Sequence, residues 1–193
     1  MGDLLLIRHG ETAWSAAHWH TSHTEVELTA RGRRQATALG DALGGRHYAA
    51  VLSSPRRRAL ITAELAGLAV TRVEPELTEW DYGEYEGRTT AEIRRGRAGW
   101  DVWTDGCPGG ESPAEVSDRV DRCLALAEGL SHGGDVAIFG HGHNLRVLGA
   151  RWIGLPAAAG GRLRLDTAGV CVLGYEHGER VLLRWNQPVP EGA

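Results

Sequence analysis

The chain of 193 residues is 42% hydrophobic and 24% charged, with a formal net charge of -4 at pH 7. Those values predict one globular domain over residues 1–193 with a core of its own, and the mildly acidic total argues against nucleic acid as the main partner. All 21 basic residues are arginine, which excludes a P-loop lysine, a kinase strand lysine and Schiff-base chemistry.

Met1-Gly2-Asp3 lacks the basic start of a signal peptide, and Leu6 stands where a myristoylation motif needs Ser or Thr; a cytoplasmic protein is expected. Leu4 to Ile7, four apolar residues in a row, suit a strand buried on both faces. Arg8, His9 and Gly10 follow at once. A permanent cation and a titratable nitrogen therefore sit where a central strand would leave the sheet, which is costly unless an anion joins them. After a polar loop, Ala36, Leu39, Gly40 and Leu43 show the spacing of a core-facing helix over about 30–43, with Thr29 as N-cap. "YAAVLSS" reads as a second strand, and "SPRRRALITAELAG" as the helix behind it, with Ser54 capping and Pro55 at the first helical position. "TRVE" reads as a short strand.

Ser112-Pro113-Ala114-Glu115 is a capping box that opens a helix through Val116, Val120, Leu124 and Ala127. "DVAIFGHG" is a third strong strand, and the helix after it carries Leu145, Leu148 and Trp152 and stops before Gly154 and Pro156. "GVCVLGYEHGERVLLRW" reads as an antiparallel hairpin turning at His177-Gly178. Alternating strands and helices predict an α/β fold. Cys107, Cys123 and Cys171 are odd in number and unclustered, and read as reduced, buried small hydrophobes.

The three strongest strands end in Arg8-His9-Gly10, in Ser53 to Arg58, and in Gly140-His141-Gly142-His143. Ligands of open α/β sheets sit beyond the carboxyl ends of the strands. If these three strands are parallel neighbours, two histidines and at least two arginines converge on one spot. A dianion fits such a spot, because guanidinium forks match phosphate oxygens and helix N-termini add backbone donors.

"LIRHGETAWS", "ELTARGRRQA", "SSPRRRALITA", "LTEWDYGEYEG", "GGES" and "HGHNLR" together resemble the histidine phosphatase superfamily, the phosphoglycerate mutase-like proteins, in its acid phosphatase-type branch. The motifs follow the family order and span residue 4 to about residue 150. The resemblance implies a three-layer α/β/α fold with a mostly parallel central sheet and helices on both faces. It implies that His9 is the nucleophile, attacking as neutral imidazole while its other nitrogen donates a hydrogen bond. Arg8, Arg58 and His141 are implied as the cage around the phosphoryl oxygens. Arg58 is chosen over Arg56 and Arg57 because it directly precedes Ala59 in the family's Arg-Ala-x-x-Thr-Ala pattern. Glu79 matches the proton donor, and a neighbouring phosphate favours the protonated carboxyl that this step needs.

Asp81 is the second candidate for that role, while Glu84 and Glu86 read as a solvated acidic loop. Ser15, where relatives often carry Asn, Thr21, Ser22, Tyr82 and Gly142 are implied as phosphate or substrate contacts. His143 stands where relatives commonly have Gly or Asn. His18, His20, His23, His141 and His143 lack the carboxylate partners of a metal cluster, so neither metal nor cofactor is expected. Trp100 and Trp103 fall in the segment that would cover the pocket, either as core or as a wall for an apolar or aromatic group.

Three functions compete: a phosphomonoesterase, a cofactor-dependent phosphoglycerate mutase, and a non-catalytic phospho-ligand binder. The mutases carry a longer insert after the acid, with lysine and paired arginines for the substrate carboxylate; here only Arg94-Arg95 imitates it. The expectation is a metal-independent phosphomonoesterase for a small phosphorylated metabolite, without nucleic-acid or membrane partners. The substrate's identity stays open, as does the oligomeric state, a homodimer included.

Overall fold

The computed structural model describes residues 1–189. Its strands are β1 (Leu4–Arg8), β2 (Tyr48–Ser53), β3 (Arg72–Val73), β4 (Asp135–Gly140), β5 (Val170–Glu176) and β6 (Glu179–Gln187). They form one sheet in the order β3-β2-β4-β1-β5-β6. The first four in that order run parallel, whereas β5 is antiparallel to both β1 and β6. The helices are α1 (Ala13–Ala16), α2 (Ala30–Leu43), α3 (Arg57–Leu65), α4 (Thr90–Gly96), α5 (Val102–Asp105), α6 (Pro113–Leu130) and α7 (Gly142–Trp152). The result is the expected mixed, mostly parallel sheet covered on both sides.

The uninterrupted apolar run of β1 follows from that coverage. Leu5 and Ile7 face one way, with Leu39 and Leu43 of α2 and Ala59 and Ala63 of α3. Leu4 and Leu6 face the other way, with Val120 and Leu124 of α6 and Leu145 and Leu148 of α7. A strand with helices on both faces needs apolar residues at successive positions, and each such side chain contributes roughly 1.5–3 kcal/mol when fully buried.

Local signals mostly hold. Thr29 caps α2, and Ser112 with Glu115 forms the capping box of α6, with Pro113 in its first turn. The hairpin turns at His177 (φ 52°) and Gly178 (φ 87°), two left-handed residues as a two-residue turn of this kind requires. The start of α3 differs from expectation. Helix begins at Arg57, Arg56 is its N-cap without a side-chain bond, and Pro55 lies outside. The reason is that the Ser54 hydroxyl binds the His141 ring at 2.7 Å and leaves only a 3.3 Å contact for the backbone N–H of Arg56.

All three cysteines are free and buried, and burial pushes each thiol up to about 12. Among the described residues no helix is long and apolar enough to cross a membrane.

β1, β4 and β2 lie side by side, with Arg8 paired to Gly140 and Ser53 to Phe139. Their carboxyl ends are therefore level, and the segments that follow them meet.

Candidate active site

Beyond those strand ends lies a cavity of about 210 Å³, whose lining includes Arg8, His9, Glu79, Tyr82, His143 and Arg146. His9 leaves β1 with its backbone N–H on the carbonyl of Gly140 (3.0 Å). The turn is tight because Gly10 packs against α2: a Cβ there would lie 2.3 Å from the carbonyl oxygen of Gly32. The ring Nδ1 of His9 sits 2.7 Å from the Gly10 carbonyl oxygen. A carbonyl can only accept, so Nδ1 carries the proton and Nε2 keeps its lone pair. Burial, followed by the charges of Arg58 and Arg8, holds the ring well below the usual histidine range. His9 is thus a neutral imidazole with one unshared nitrogen in a ring that lines the cavity.

Arg8 donates from Nη1 to the carbonyl of Leu165 (2.7 Å), and its buried Nε has no hydrogen-bond partner among the described residues. An orphaned buried guanidinium N–H invites an anion.

Glu79 lines the same cavity. Its Oε1 accepts from the backbone N–H groups of Trp80 (3.0 Å) and Asn144 (2.7 Å), and its Oε2 from that of His143 (3.0 Å). The carboxyl is therefore clamped to the first turn of α7, where the helix presents unpaired donors and a positive dipole end. Its loop is held from behind by Arg119, which donates to the carbonyls of Glu76 (2.6 Å) and Thr78 (2.9 Å) and pairs with Glu111 at 2.7 Å. Glu111 in turn accepts the backbone N–H of Asp81 (2.8 Å).

Arg58 and His141 lie next to His9 but are not part of the cavity lining. The rings of His9 and His141 are 5.2 Å apart. Arg58 Nε donates to His141 Nδ1 (3.3 Å), so His141 carries its proton on Nε2 and donates to the Ser54 hydroxyl. Burial, then Arg58 and the other nearby cations, keeps His141 neutral. The remaining Arg58 nitrogens hold the carbonyls of Thr21, Ser22 and Thr24 at 3.0–3.2 Å. The arginine thus ties the 21–24 loop to α3 and acts on His9 through its charge.

The other predicted contacts divide. Thr21, Tyr82 and Gly142 line the cavity. Ser15 also lines it, but its hydroxyl is engaged in the capping box of α1 with Thr12. Ser22 is buried outside the lining, its N–H on Glu86 and its carbonyl on Arg58. Glu86 is no solvated bystander, because it also accepts from Thr24 (3.1 Å). Asp81 turns away, accepting from Gly83 N–H (2.9 Å) and pairing with exposed His23 at 3.2 Å. Trp100 and Trp103 are buried behind the wall, Trp100 against His20 (5.6 Å) and Trp103 against His143 (4.8 Å). Arg94 and Arg95 sit on the exposed side of α4.

The inner wall is therefore made of neutral rings. His20 is pushed down to about 4, chiefly by burial, and His143 well below the usual range by burial and then by Arg146. Tyr82, pushed well above the usual phenol range chiefly by burial, shares a hydrogen bond between its hydroxyl and His143 Nδ1. Sequence reasoning missed Arg119, Glu111, Arg146 and the exposed Trp19 at the rim. For Arg146 a signal existed, since it lies three residues after His143 on the helix that follows the third strong strand, hence on the same face. Among the described residues, no group of three His, Cys, Asp or Glu side chains is arranged to hold a metal ion.

Comparison with known proteins gives a consistent picture. The profile of the histidine phosphatase superfamily (branch 1) matches residues 4–188. An acid phosphatase of Mycobacterium tuberculosis is 51% identical over 181 residues, 93% of this chain and 89% of that protein. A probable phosphoglycerate mutase of Salmonella paratyphi C is 33% identical over 96% of this chain and 90% of its own length. The solved structure of a Mycobacterium tuberculosis open reading frame product, 48% identical, superposes with a TM-score of 0.95, covering 98% of this chain and 99% of that one.

Proposed function

Since the chain belongs to the histidine phosphatase superfamily, with an acid phosphatase among its relatives, we propose that it hydrolyses a small phosphomonoester through a phosphohistidine on His9. The observation that carries this reading is one cavity whose lining brings together His9, with an unshared ring nitrogen, Arg8, whose buried Nε–H has no partner among the described residues, and Glu79 with its clamped carboxyl. In the first step Nε2 of His9 bonds to phosphorus, the ester P–O bond breaks, and Glu79 delivers its proton to the leaving oxygen. In the second, Glu79 takes a proton from water, the water oxygen bonds to phosphorus, and the His9–phosphorus bond breaks to release phosphate. The Gly10 carbonyl holds the Nδ1 proton throughout, which fixes the ring and accepts part of the positive charge that develops on it. Arg8 meets the phosphoryl oxygens, with Arg58 and His141 as the cationic and neutral layer behind His9. Guanidinium groups then supply the charge compensation that a metal supplies in other phosphatases.

The test is a panel of phosphoesters assayed for phosphate release, beside a coupled assay for conversion of 3- to 2-phosphoglycerate, with and without chelator. Phosphate release unaffected by chelation, an acid-labile phosphoenzyme, and loss of both in His9→Ala are expected. Efficient mutase conversion with little phosphate release, or chelator loss restored by one metal, overturns the reading.

A further inference from the structure

The cavity lining holds a second cation that the proposed phosphoryl chemistry leaves unused. Arg146 lies one helical turn beyond His143 on α7 and lines the same cavity as His9. Its position is constructed. The guanidinium stacks over the Trp103 ring at 4.4 Å, Nε donates to the carbonyl of Gly160 (2.9 Å), and Nη2 donates to that of Gly161 (2.9 Å). The two glycines make this approach possible, since a Cβ on Gly160 would lie 2.8 Å from the Trp103 ring. Three contacts thus fix the planar group, and its Nη1 edge has no hydrogen bond or carboxylate among the described residues.

The contrast with a neighbouring hollow is informative. That hollow, about 540 Å³, shares Arg8 with the cavity and also holds Arg31 and Arg164. Both are matched there, Arg31 by Glu11 at 3.2 Å and Arg164 by Asp166 at 3.0 Å. In the cavity itself neither Arg8 nor Arg146 has an ion pair, and Glu79 is the one carboxylate in the lining. Burial and the charge of Arg8 both disfavour the Arg146 cation where it stands, with Glu79 as the leading compensation. Two partly desolvated like charges sharing one small space are unfavourable until a ligand brings negative charge to each of them.

We propose that Arg146 is a specificity-determining residue that binds a second anionic group, a carboxylate or a second phosphate, on the alcohol part of the substrate. The phosphoryl group transferred to His9 takes Arg8, and the distal anion takes the free edge of Arg146. This rests on the reading of the cavity as a phosphomonoesterase site, and it narrows the substrate class to small esters carrying two separated anions.

The experiment compares matched pairs that differ in the second anion alone: 3-phosphoglycerate with glycerol 1-phosphate, and glucose 1,6-bisphosphate with glucose 6-phosphate. The wild type is expected to prefer the two-anion member of at least one pair by roughly ten- to hundredfold in kcat/KM, the worth of a charge-assisted hydrogen bond. Whichever pair shows the preference identifies carboxylate or phosphate. Arg146→Gln should lower kcat/KM for the two-anion member by that factor, mostly through KM, and collapse the ratio toward one. Arg34→Gln, on the exposed side of α2, should leave the ratio intact. Equal preference within both pairs, or an equal loss on all four esters in Arg146→Gln, overturns the inference; the latter would put Arg146 on the transferred phosphoryl group.

Binding keeps this inference separable from the catalytic reading. If the wild type hydrolyses none of the esters, the phosphatase assignment falls. Calorimetric titration of 3-phosphoglycerate and glycerol 1-phosphate, and of the glucose pair, into His9→Ala still decides the role of Arg146. A two-anion preference lost in His9→Ala/Arg146→Gln supports it, and affinities indifferent to Arg146 refute it.

Discussion

Glu79→Gln is the usual probe of a general acid, and here it should disturb the fold as well as the chemistry. The carboxylate accepts three backbone N–H groups, two on Oε1 and one on Oε2. A glutamine has one acceptor oxygen. Its lowest-cost orientation leaves that oxygen facing Trp80 and Asn144 and turns its NH2 toward the N–H of His143, donor against donor. An unpaired buried donor costs about 1–3 kcal/mol. Loss of a negative charge at a helix N-terminus costs a further ~0.3–1 kcal/mol, up to about 2 in a partly buried site.

The sum predicts a stability loss of roughly 1–5 kcal/mol, read as a lower urea midpoint at unchanged slope. On the chemical side, rate loss should depend on the leaving group. A proton donor is worth on the order of 10² to 10⁴ for an alkyl alcohol and far less for p-nitrophenol, which leaves readily as its anion. The nitrophenol burst should therefore survive while sugar phosphate hydrolysis fails, and the phosphoenzyme should accumulate because the second step lacks its base. Asp81→Asn serves as control, its carboxylate being turned toward Gly83 and His23. Unchanged stability in Glu79→Gln refutes the clamp, and equal burst losses on both kinds of ester refute the acid.

Two further outcomes follow from the buried groups. His9, His20, His141 and His143 all titrate below 6.5 in the folded chain, first because of burial, whereas in the unfolded chain each takes up a proton near 6.5. The unfolded state thus binds more protons below that pH, so stability should fall as pH drops from 6.5, by about 1.4 kcal/mol per pH unit for each histidine fully in play, and down to about 4 for His20. Urea midpoints that stay flat between pH 6.5 and 5 would contradict this. Arg58→Ala should weaken the fold by about 3 kcal/mol or more, because three loop carbonyls and His141 Nδ1 lose their donor. Thermal denaturation checks it, and a variant of native stability with only kcat reduced would return Arg58 to a purely transition-state role.

What the sequence determined by itself was the layering and which residues gather beyond the strand ends. Four apolar residues before Arg8-His9 required a strand covered on both faces, and β1 packs against α2 and α3 on one side and α6 and α7 on the other. Strand ends carrying Arg8, His9 and His141 pointed to an anion beyond the sheet, because parallel neighbours bring such ends level. Capping residues at Thr29 and Ser112 placed two helix starts, since a cap bond is local and depends on a few successive residues.

Tertiary structure alone decided how the side chains share their hydrogen bonds. Ser54 has the form of a cap, but His141, 87 positions away in the chain, takes its hydroxyl, and the helix starts three residues later. Arg58 looks like a phosphate ligand in its motif, yet the 21–24 loop occupies most of its donors. Arg146 reads as an ordinary helical arginine until Trp103, Gly160 and Gly161, remote from it in sequence or across a turn, fix it at the cavity wall. A polar side chain has several partners of similar energy open to it, and the competition among them is settled by which long-range contacts the packed core brings within about 3 Å.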